Sequence, residues 1–391
     1  MPYIHIDKSR GFTAMGGKLY MKSFNVKAPD YIYKINPYIP GKPIEEVERE
    51  KGIKNIVKLA SNENPSYPSQ GALKSIKSCL KNLNRYPDGS GFYLKEELVH
   101  FFKAAGIKSD KLKPENFILG NGSNELIDIA VRTFCNRNEN LIAPFPSFVA
   151  YYLAGEQLGL KLKISKLKDY SLDLDDMYKL IDDKTKVIFI SNPNNPTGTF
   201  FSNDKIKGFV KKVKDNILVI IDEAYIEYMG KSLIDETDIA DFPNVLVLRT
   251  FSKVYGLAGL RVGYGIGHKD LISLMDRVRE PFNVNSLSLA GALAALRDKE
   301  YVKKVVETNE VEKNYLYAAF KRLSIEFVLT GANFILVKLK GRKAADIYGK
   351  LLNMGIIIRP MDRFGYDDMV RITIGTHREN IRLIKALGKV I

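Results

Sequence analysis

The stretch KVIFISNPNNPTGTFFSNDKIKGFVKKVKDNILVIIDEAY, residues 186–225, holds the pattern that decides the fold. Lys186–Ile190 and Ile217–Ile221 are short apolar runs without polar alternation. Strands covered on both faces read this way. Between them lies a loop punctuated by Pro193, Pro196 and Gly198, then a helical pattern over Lys205–Val213. Strand, loop, helix and strand within 40 residues make one parallel crossover unit.

The same rhythm continues on both sides. Phe117–Leu119, Leu141–Ala143, Val245–Leu248 and Leu260–Tyr264 read as further strands, with helical patterns at Asn124–Phe134, Phe148–Leu158 and Asp175–Leu180. Such alternation predicts an α/β fold with a mainly parallel central sheet flanked by helices. From Ser286 the order changes. One long helical stretch, Ser286–Lys321, precedes short strands near Glu326–Leu329, Phe334–Val337, Ile356–Ile358 and Val370–Ile374, with helices at Ala344–Asn353 and Glu379–Leu387. That reads as a smaller α+β domain. The Tyr- and Pro-rich Tyr31–Pro43 reads as an extended arm. The expected division is 1–58 as an N-terminal extension partly packing with the small domain, 59–283 as the large domain and 284–391 as the small one. Residues 1–20 carry little pattern and read as an upstream extension, a short targeting segment or a mis-assigned start.

Composition bounds the function. Length (391 residues) suggests two or three domains, and 45% hydrophobic with 27% charged residues excludes global disorder. The net charge of +15 favours anionic ligands or a nucleic-acid surface. The basic residues are spread along the chain with no finger or winged-helix motif, so no nucleic-acid partner is expected. Cys79 and Cys135 form no CxxC, and the four histidines are scattered, so neither a disulfide scaffold nor a metal site is expected. No apolar run reaches the ~18 residues of a spanning helix, and the start lacks a signal-peptide core. The expectation is a soluble cytoplasmic protein with no membrane partner.

Five clusters carry candidate chemistry, four of them at the C-terminal ends of predicted strands, where open α/β sheets bind ligands. Gly120–Glu125 places Gly122, Ser123 and Asn124 at a helix start, where Ser123 and Asn124 can cap and free N–H groups can hold a phosphate; a plain capped turn reads the same way. Ser191–Gly198 would present Asn195 rigidly before Pro196. Asp222 ends an apolar strand, so its carboxylate needs a cation or donors, unless it merely caps a helix starting there; Tyr225 lies three residues on. Lys253 comes after a buried strand and precedes a Gly-rich, mostly uncharged segment, the setting of an amine nucleophile, with Ser252 and Arg261 placed for phosphate contacts. Arg359 and Arg371 sit at or in strands of the small domain, and an apolar-flanked arginine needs an anion or a domestic salt bridge.

Together these clusters resemble the fold-type I aminotransferases that use pyridoxal 5′-phosphate, over roughly Asn36 to Val390. The most specific parts are Asn195-Pro196-Thr197-Gly198, Asp222-Glu223-Ala224-Tyr225, and Ser252-Lys253 with Arg261 eight residues later. Asn36-Pro37-Tyr38, Leu59–Pro65, Asn84–Pro87, Gly355–Arg359 and Arg371–Thr376 are most similar to the subgroup that transaminates histidinol phosphate. Near relatives are aromatic aminotransferases and a threonine-phosphate decarboxylase. A non-enzymatic binder or regulator on the same fold is the alternative of a different class.

The resemblance also implies roles for single residues. Lys253 carries the cofactor and moves the substrate proton, Asp222 pairs with the ring nitrogen, and Asn195 and Tyr225 donate to the ring oxygen. Gly122, Ser123, Asn124, Thr250, Ser252 and Arg261 hold the cofactor phosphate. Phe148 stacks on the ring where some relatives have tyrosine, and Tyr86 reaches across from a neighbouring subunit of a homodimer with shared sites. Tyr38, Asn195, Arg359 and Arg371 bind substrate, implied to be histidinol phosphate and glutamate or 2-oxoglutarate in ping-pong exchange.

Overall fold

The computed structural model of the chain describes residues 26–39, 41–106, 112–239, 242–339 and 341–391. Residues 1–20, expected to be an extension, lie outside them. Strand β1 (Val57–Lys58) stands apart from the next seven: β2 (Phe117–Gly120), β3 (Asn140–Phe145), β4 (Lys161–Lys166), β5 (Thr185–Ser191), β6 (Leu218–Asp222), β7 (Val245–Thr250) and β8 (Gly263–Gly267). These seven form one sheet in the order β2-β8-β7-β6-β5-β3-β4. Only β8 runs against its neighbours; the remaining pairs are parallel.

Both faces of this sheet are covered, which is why its strands lack polar alternation. Along β5, Val187 and Phe189 join one apolar cluster while Ile188 and Ile190 join the other. Strand β4, KLKISK, escapes a sequence reading because it is an edge strand. Its exposed Lys161 and Lys166 discourage further pairing, and only Ser165 in it is buried.

Two expected boundaries shift. Leu260 belongs to the short 3₁₀ turn Ala258–Leu260, so the strand expected from Leu260 begins at Gly263. The expected helix Ser286–Lys321 is two helices, Ser286–Arg297 and Lys299–Arg322. Asp298 breaks the run with ψ 69°, and its side chain accepts from the Tyr301 N–H at 3.1 Å, starting a new helix. Ala292, Ala295, Leu296 and Val305 of these helices pack into the core of the large sheet.

The remaining strands are β9 (Glu326–Phe327), β10 (Phe334–Lys338), β11 (Ile356–Ile357), β12 (Arg359–Pro360) and β13 (Met369–Thr373). Four of them form an antiparallel sheet in the order β12-β13-β10-β9. Strand β11 pairs in parallel with β1, Val57 opposite Ile356. Leu59 continues that pairing by donating its N–H to Ile357 at 2.7 Å and accepting from Thr373 at 2.9 Å. The segment before Ala60 therefore packs with the C-terminal sheet. The stretch expected as an extended arm contains one 3₁₀ turn, Ile32–Lys34, and its Tyr31 ring lies under the Arg137 guanidinium at 5.9 Å. Among the described residues no helix is long and apolar enough to cross a membrane.

A buried ionic network stitches β6 to β7. Arg249 of β7 is 5% exposed and donates through Nε to Glu223 at 3.1 Å; Glu223 also accepts from Ser232 Oγ and the Leu233 N–H. Glu227 lies beside this pair. Its carboxyl oxygens are sealed from solvent without a hydrogen-bond partner among the described residues, although its stem reaches the surface. Burial pushes its carboxyl up to about 7, partly offset by Arg249. The folded-state value lies above the unfolded one, so the folded chain holds this proton more tightly. Stability linked to it is intact below pH ~4.5 and drains away as pH rises toward 7. Glu227→Gln should therefore match the parent at pH 4.5 and exceed it at pH 8, by up to about 3 kcal/mol. Urea denaturation at the two pH values measures the difference.

Candidate active site

The C-terminal ends of β2, β3, β5, β6 and β7 open onto one cavity of about 240 Å³, closed on its other side by the C-terminal sheet and the arm. Ser123, Asn124, Phe148, Asn195, Asp222, Tyr225, Thr250, Ser252, Lys253 and Arg261 line it from the large sheet, and Tyr38, Arg359 and Arg371 line it from the opposite side. Two sequence candidates are placed otherwise. Gly122 sits behind the lining. Tyr86 is 83% exposed, stacked on Phe282 at 4.7 Å, and does not reach the cavity of its own chain.

One corner is built for an anion. Gly122, with φ +78°, is the N-cap of the helix Ser123–Phe134. The expectation that Ser123 and Asn124 cap this helix is corrected: neither does, and the cap has no side-chain bond. The first N–H groups consequently remain available, at the positive end of the helix dipole. Arg261 closes the corner. A Cβ on Gly122 would lie 2.6 Å from its Nη2, so any other residue would displace the guanidinium from where it stands as well as strain a backbone at φ +78°. Arg261 donates to Ser252 Oγ and the Ala258 carbonyl, both at 3.3 Å, and the Ser252 N–H donates to Thr250 Oγ1 at 3.1 Å.

Next to this corner, Asp222 ends β6 and is 4% exposed. Its Oδ2 accepts from the Tyr151 hydroxyl at 2.8 Å and its Oδ1 from the Ala224 N–H at 3.1 Å. The Asp222 pKa is raised by burial, against the opposing pull of these two donors and of Lys253. No salt bridge to Asp222 exists among the described residues, so a cation facing it would recover the cost of desolvation. Tyr151, fully buried and stacked on Phe189 at 4.5 Å, was not singled out by the sequence. Its signal was available: a tyrosine in a nearly uncharged helix must find a hydrogen-bond partner when buried.

Lys253 stands in the turn after β7, half-buried between Ser252 and Val254. Its Nζ donates to the Asn62 carbonyl at 3.2 Å and the Ser61 carbonyl at 3.4 Å, and lies 5.4 Å from the Tyr225 ring centre. The Tyr225 hydroxyl accepts from Asn62 Nδ2 at 2.9 Å. Asn62, 1% exposed, thus links lysine and tyrosine, although sequence reasoning gave it no role.

Arg359 and Arg371 are direct cross-strand partners in the β12–β13 pair. Directly opposed side chains share a face, and two like charges there repel. Arg371 is 8% exposed and donates to Asn195 Oδ1 and the Ala60 carbonyl, both at 2.6 Å, while its Nε has no partner. No carboxylate pairs with it among the described residues, and burial, with Arg359 adding to it, pulls its pKa down to about 10. Arg359 donates to the Ile39 carbonyl of the arm at 3.3 Å. The doublet fits an anion of one or two charges. Asn195 therefore spends its oxygen on Arg371, which leaves its amide N–H groups free to donate.

A parallel sheet with a lysine, a buried carboxylate and two separate anion corners converging at its strand ends defines a group-transfer enzyme acting on small anionic molecules. The model of the family "Aminotransferase class I and II" matches residues 54–387. The chain belongs to that family and is an aminotransferase. A histidinol-phosphate aminotransferase of Moorella thermoacetica is 41% identical over 368 residues, 93% of each chain. Histidinol-phosphate aminotransferase 2 of Pseudomonas fluorescens strain Pf-5 is 43% identical over 364 residues, covering 92% of this chain and 96% of that one. Among solved structures, the histidinol-phosphate aminotransferase of Sinorhizobium meliloti in complex with pyridoxal-5′-phosphate superposes with a TM-score of 0.84 at 24% identity, covering 95% and 98% of the two chains. The fold expected from the sequence, fold-type I with a mainly parallel sheet, is borne out.

Tyr151→Phe removes a donor from a buried carboxylate. It should cost on the order of 1–3 kcal/mol in urea unfolding at pH 7, because the desolvated Asp222 oxygen is left unmet.

Proposed function

We propose that the chain transfers an amino group between L-histidinol phosphate and 2-oxoglutarate, giving imidazole-acetol phosphate and L-glutamate, as a cytoplasmic step of histidine biosynthesis. The observation that carries this reading is the Arg359–Arg371 doublet facing the cavity that also holds Lys253 and Asp222. One carboxylate needs one guanidinium, whereas a phosphate monoester carries up to two charges and suits both. The names of the two curated relatives support the same substrate.

The residues present fit pyridoxal 5′-phosphate. Gly122, Ser123, Asn124, Thr250, Ser252 and Arg261 make a cradle for a phosphate, in which the close approach of Arg261 to Gly122 leaves no room for a side chain. Asp222 is a buried carboxylate suited to a protonated ring nitrogen, and Phe148 offers a face for stacking. When bound, the cofactor supplies an electron sink next to the substrate's α-carbon.

Lys253 Nζ would hold the cofactor covalently and, once freed, is the amine placed to take the substrate's α-proton and return it. Asp222 would face the ring nitrogen and favour its protonated form, and Tyr225 and Asn195 would donate to the ring oxygen. Arg371 forks onto the α-carboxylate of glutamate or shares the phosphate of histidinol phosphate with Arg359. Tyr38 covers the opening. The exchange is ping-pong, each partner using the same arginines in turn. In a homodimer with shared sites, Tyr86 of the partner subunit adds a hydroxyl at the cofactor phosphate. The chain divides at 58 and 283 into extension, cofactor-binding domain and small domain, with the helix Ser286–Arg297 and the start of Lys299–Arg322 leaning back on the large core.

Borohydride reduction of the cofactor-loaded protein followed by mass spectrometry should place the label on Lys253, and Lys253→Ala should carry none. A label retained by the variant overturns the reading. Arg359→Leu should lower kcat/KM for histidinol phosphate by roughly 100-fold and for glutamate by less than about tenfold, on the ~1.4 kcal/mol-per-decade scale and the ~1.5–3 kcal/mol of a charged hydrogen bond. Equal losses would remove the assigned role.

A further inference from the structure

Phe364 lines the cavity from the side of the C-terminal sheet, and no sequence pattern pointed to it. It ends the short turn Asp362–Phe364, five residues after Arg359. Backbone bonds fix this turn: the Phe364 N–H donates to Met361 O at 2.9 Å, Tyr366 N–H to Met361 O at 3.1 Å, and Met361 N–H to Met369 O at 3.0 Å. Met361 is fully buried beside Leu336 and Met369, and Phe364 packs on that knot. On its far side the turn meets the large sheet. A Cβ on Gly365, where φ is +80°, would lie 3.6 Å from Cε1 of Phe145 at the end of β3. The turn that carries Phe364 is therefore fixed by its backbone bonds and lies against both sheets.

The charges around the cavity restrict what can lie against that ring. Asp222 is the one acidic side chain among its described lining residues, and its oxygens already face Tyr151 and Ala224. Asp362 and Arg363 of the turn are exposed and lie outside the cavity lining; among the lining side chains, Arg359 stands five residues before Phe364, with Arg371 as its cross-strand partner. A cationic distal group would meet guanidinium and no carboxylate, which costs affinity. A neutral planar ring lying against Phe364 carries no such cost and gains ring–ring contact.

We infer that Phe364 is a specificity-determining residue, receiving the neutral planar ring at the distal end of the amino donor while Arg359, on the same turn unit, holds the donor's anionic end. This rests on the transaminase reading under Proposed function and deepens it. The substrate class is an amine with one anionic end and one uncharged aromatic end.

Phe364→Ala and Phe364→Leu are made in the cofactor-loaded enzyme, and single-turnover reactions are followed with histidinol phosphate, phenylalanine and glutamate. Phe364→Ala should lower the specificity constant for the preferred ring-bearing donor by roughly 10- to 100-fold, and for glutamate by less than about threefold; Phe364→Leu should fall between. Calorimetry with the unreactive 3-phenylpropanoate should show its Kd rising by a similar factor. Equal losses on all three donors would make Phe364 a structural prop and overturn the inference, as would unchanged handling of the ring-bearing donors. An unaltered enzyme that turns over phenylalanine and not histidinol phosphate would refute the proposed substrate. The comparison of phenylalanine with glutamate would still decide the role of Phe364.

Discussion

The carboxylate of Asp222 is taken out of water at the end of a strand covered on both faces, and the site is arranged around that cost. Leu218–Ile221 carry the chain through the middle of the large sheet, and the next residue emerges where the helices no longer cover it. Two donors, Tyr151 and Ala224, reduce the penalty without supplying a charge. The balance is left to a cation in the cavity. The same strand end feeds Glu223 into the buried bridge with Arg249, so β6 and β7 keep their relative position where the carboxylate and the lysine diverge. Position is what an electrostatic contact in a low-dielectric site depends on.

The second constraint runs the other way. Arg359 and Arg371 are forced together by register, since Arg359 opposes Arg371 and Pro360 opposes Val370 in the β12–β13 pair. Two guanidiniums on one face oppose each other until an anion arrives. The cavity thus has unmet positive charge on the small-sheet side and a carboxylate without a counter-cation on the large-sheet side. A molecule that is anionic at one point and carries a cationic ring or amine at another relieves both. Lys253, held by the Ser61 and Asn62 carbonyls, stands between them. Those carbonyls follow closely on Leu59, which accepts from Thr373 of β13, so the C-terminal sheet is tied to the lysine's surroundings.

Much of this was legible in the residues. The apolar runs around 187–190 and 217–221 are buried on both faces in the structure, and lack of alternation is the direct imprint of that burial. The motif residues Asn195, Asp222, Tyr225, Lys253 and Arg261 converge because parallel strands deliver their C-terminal ends to one edge. What escaped has physical causes. Strand β4 reads as polar because it lies at an edge, and the break at Asp298 depends on one side chain choosing a cap over helix continuation. Ser123 and Asn124 looked like caps by residue type, yet the backbone turns at Gly122 instead.

The sequence by itself determined the parallel sheet, the order of its strands' chemistry and the identity of the charged groups, because periodicity and residue type are local properties. The tertiary structure alone decided the partners: Tyr151 for Asp222, Asn62 between Lys253 and Tyr225, Arg359 opposite Arg371, and Phe364 at the cavity wall. Each of these joins elements distant in sequence or depends on strand register. Contacts of that kind arise from how whole layers pack, which no short window of residues encodes.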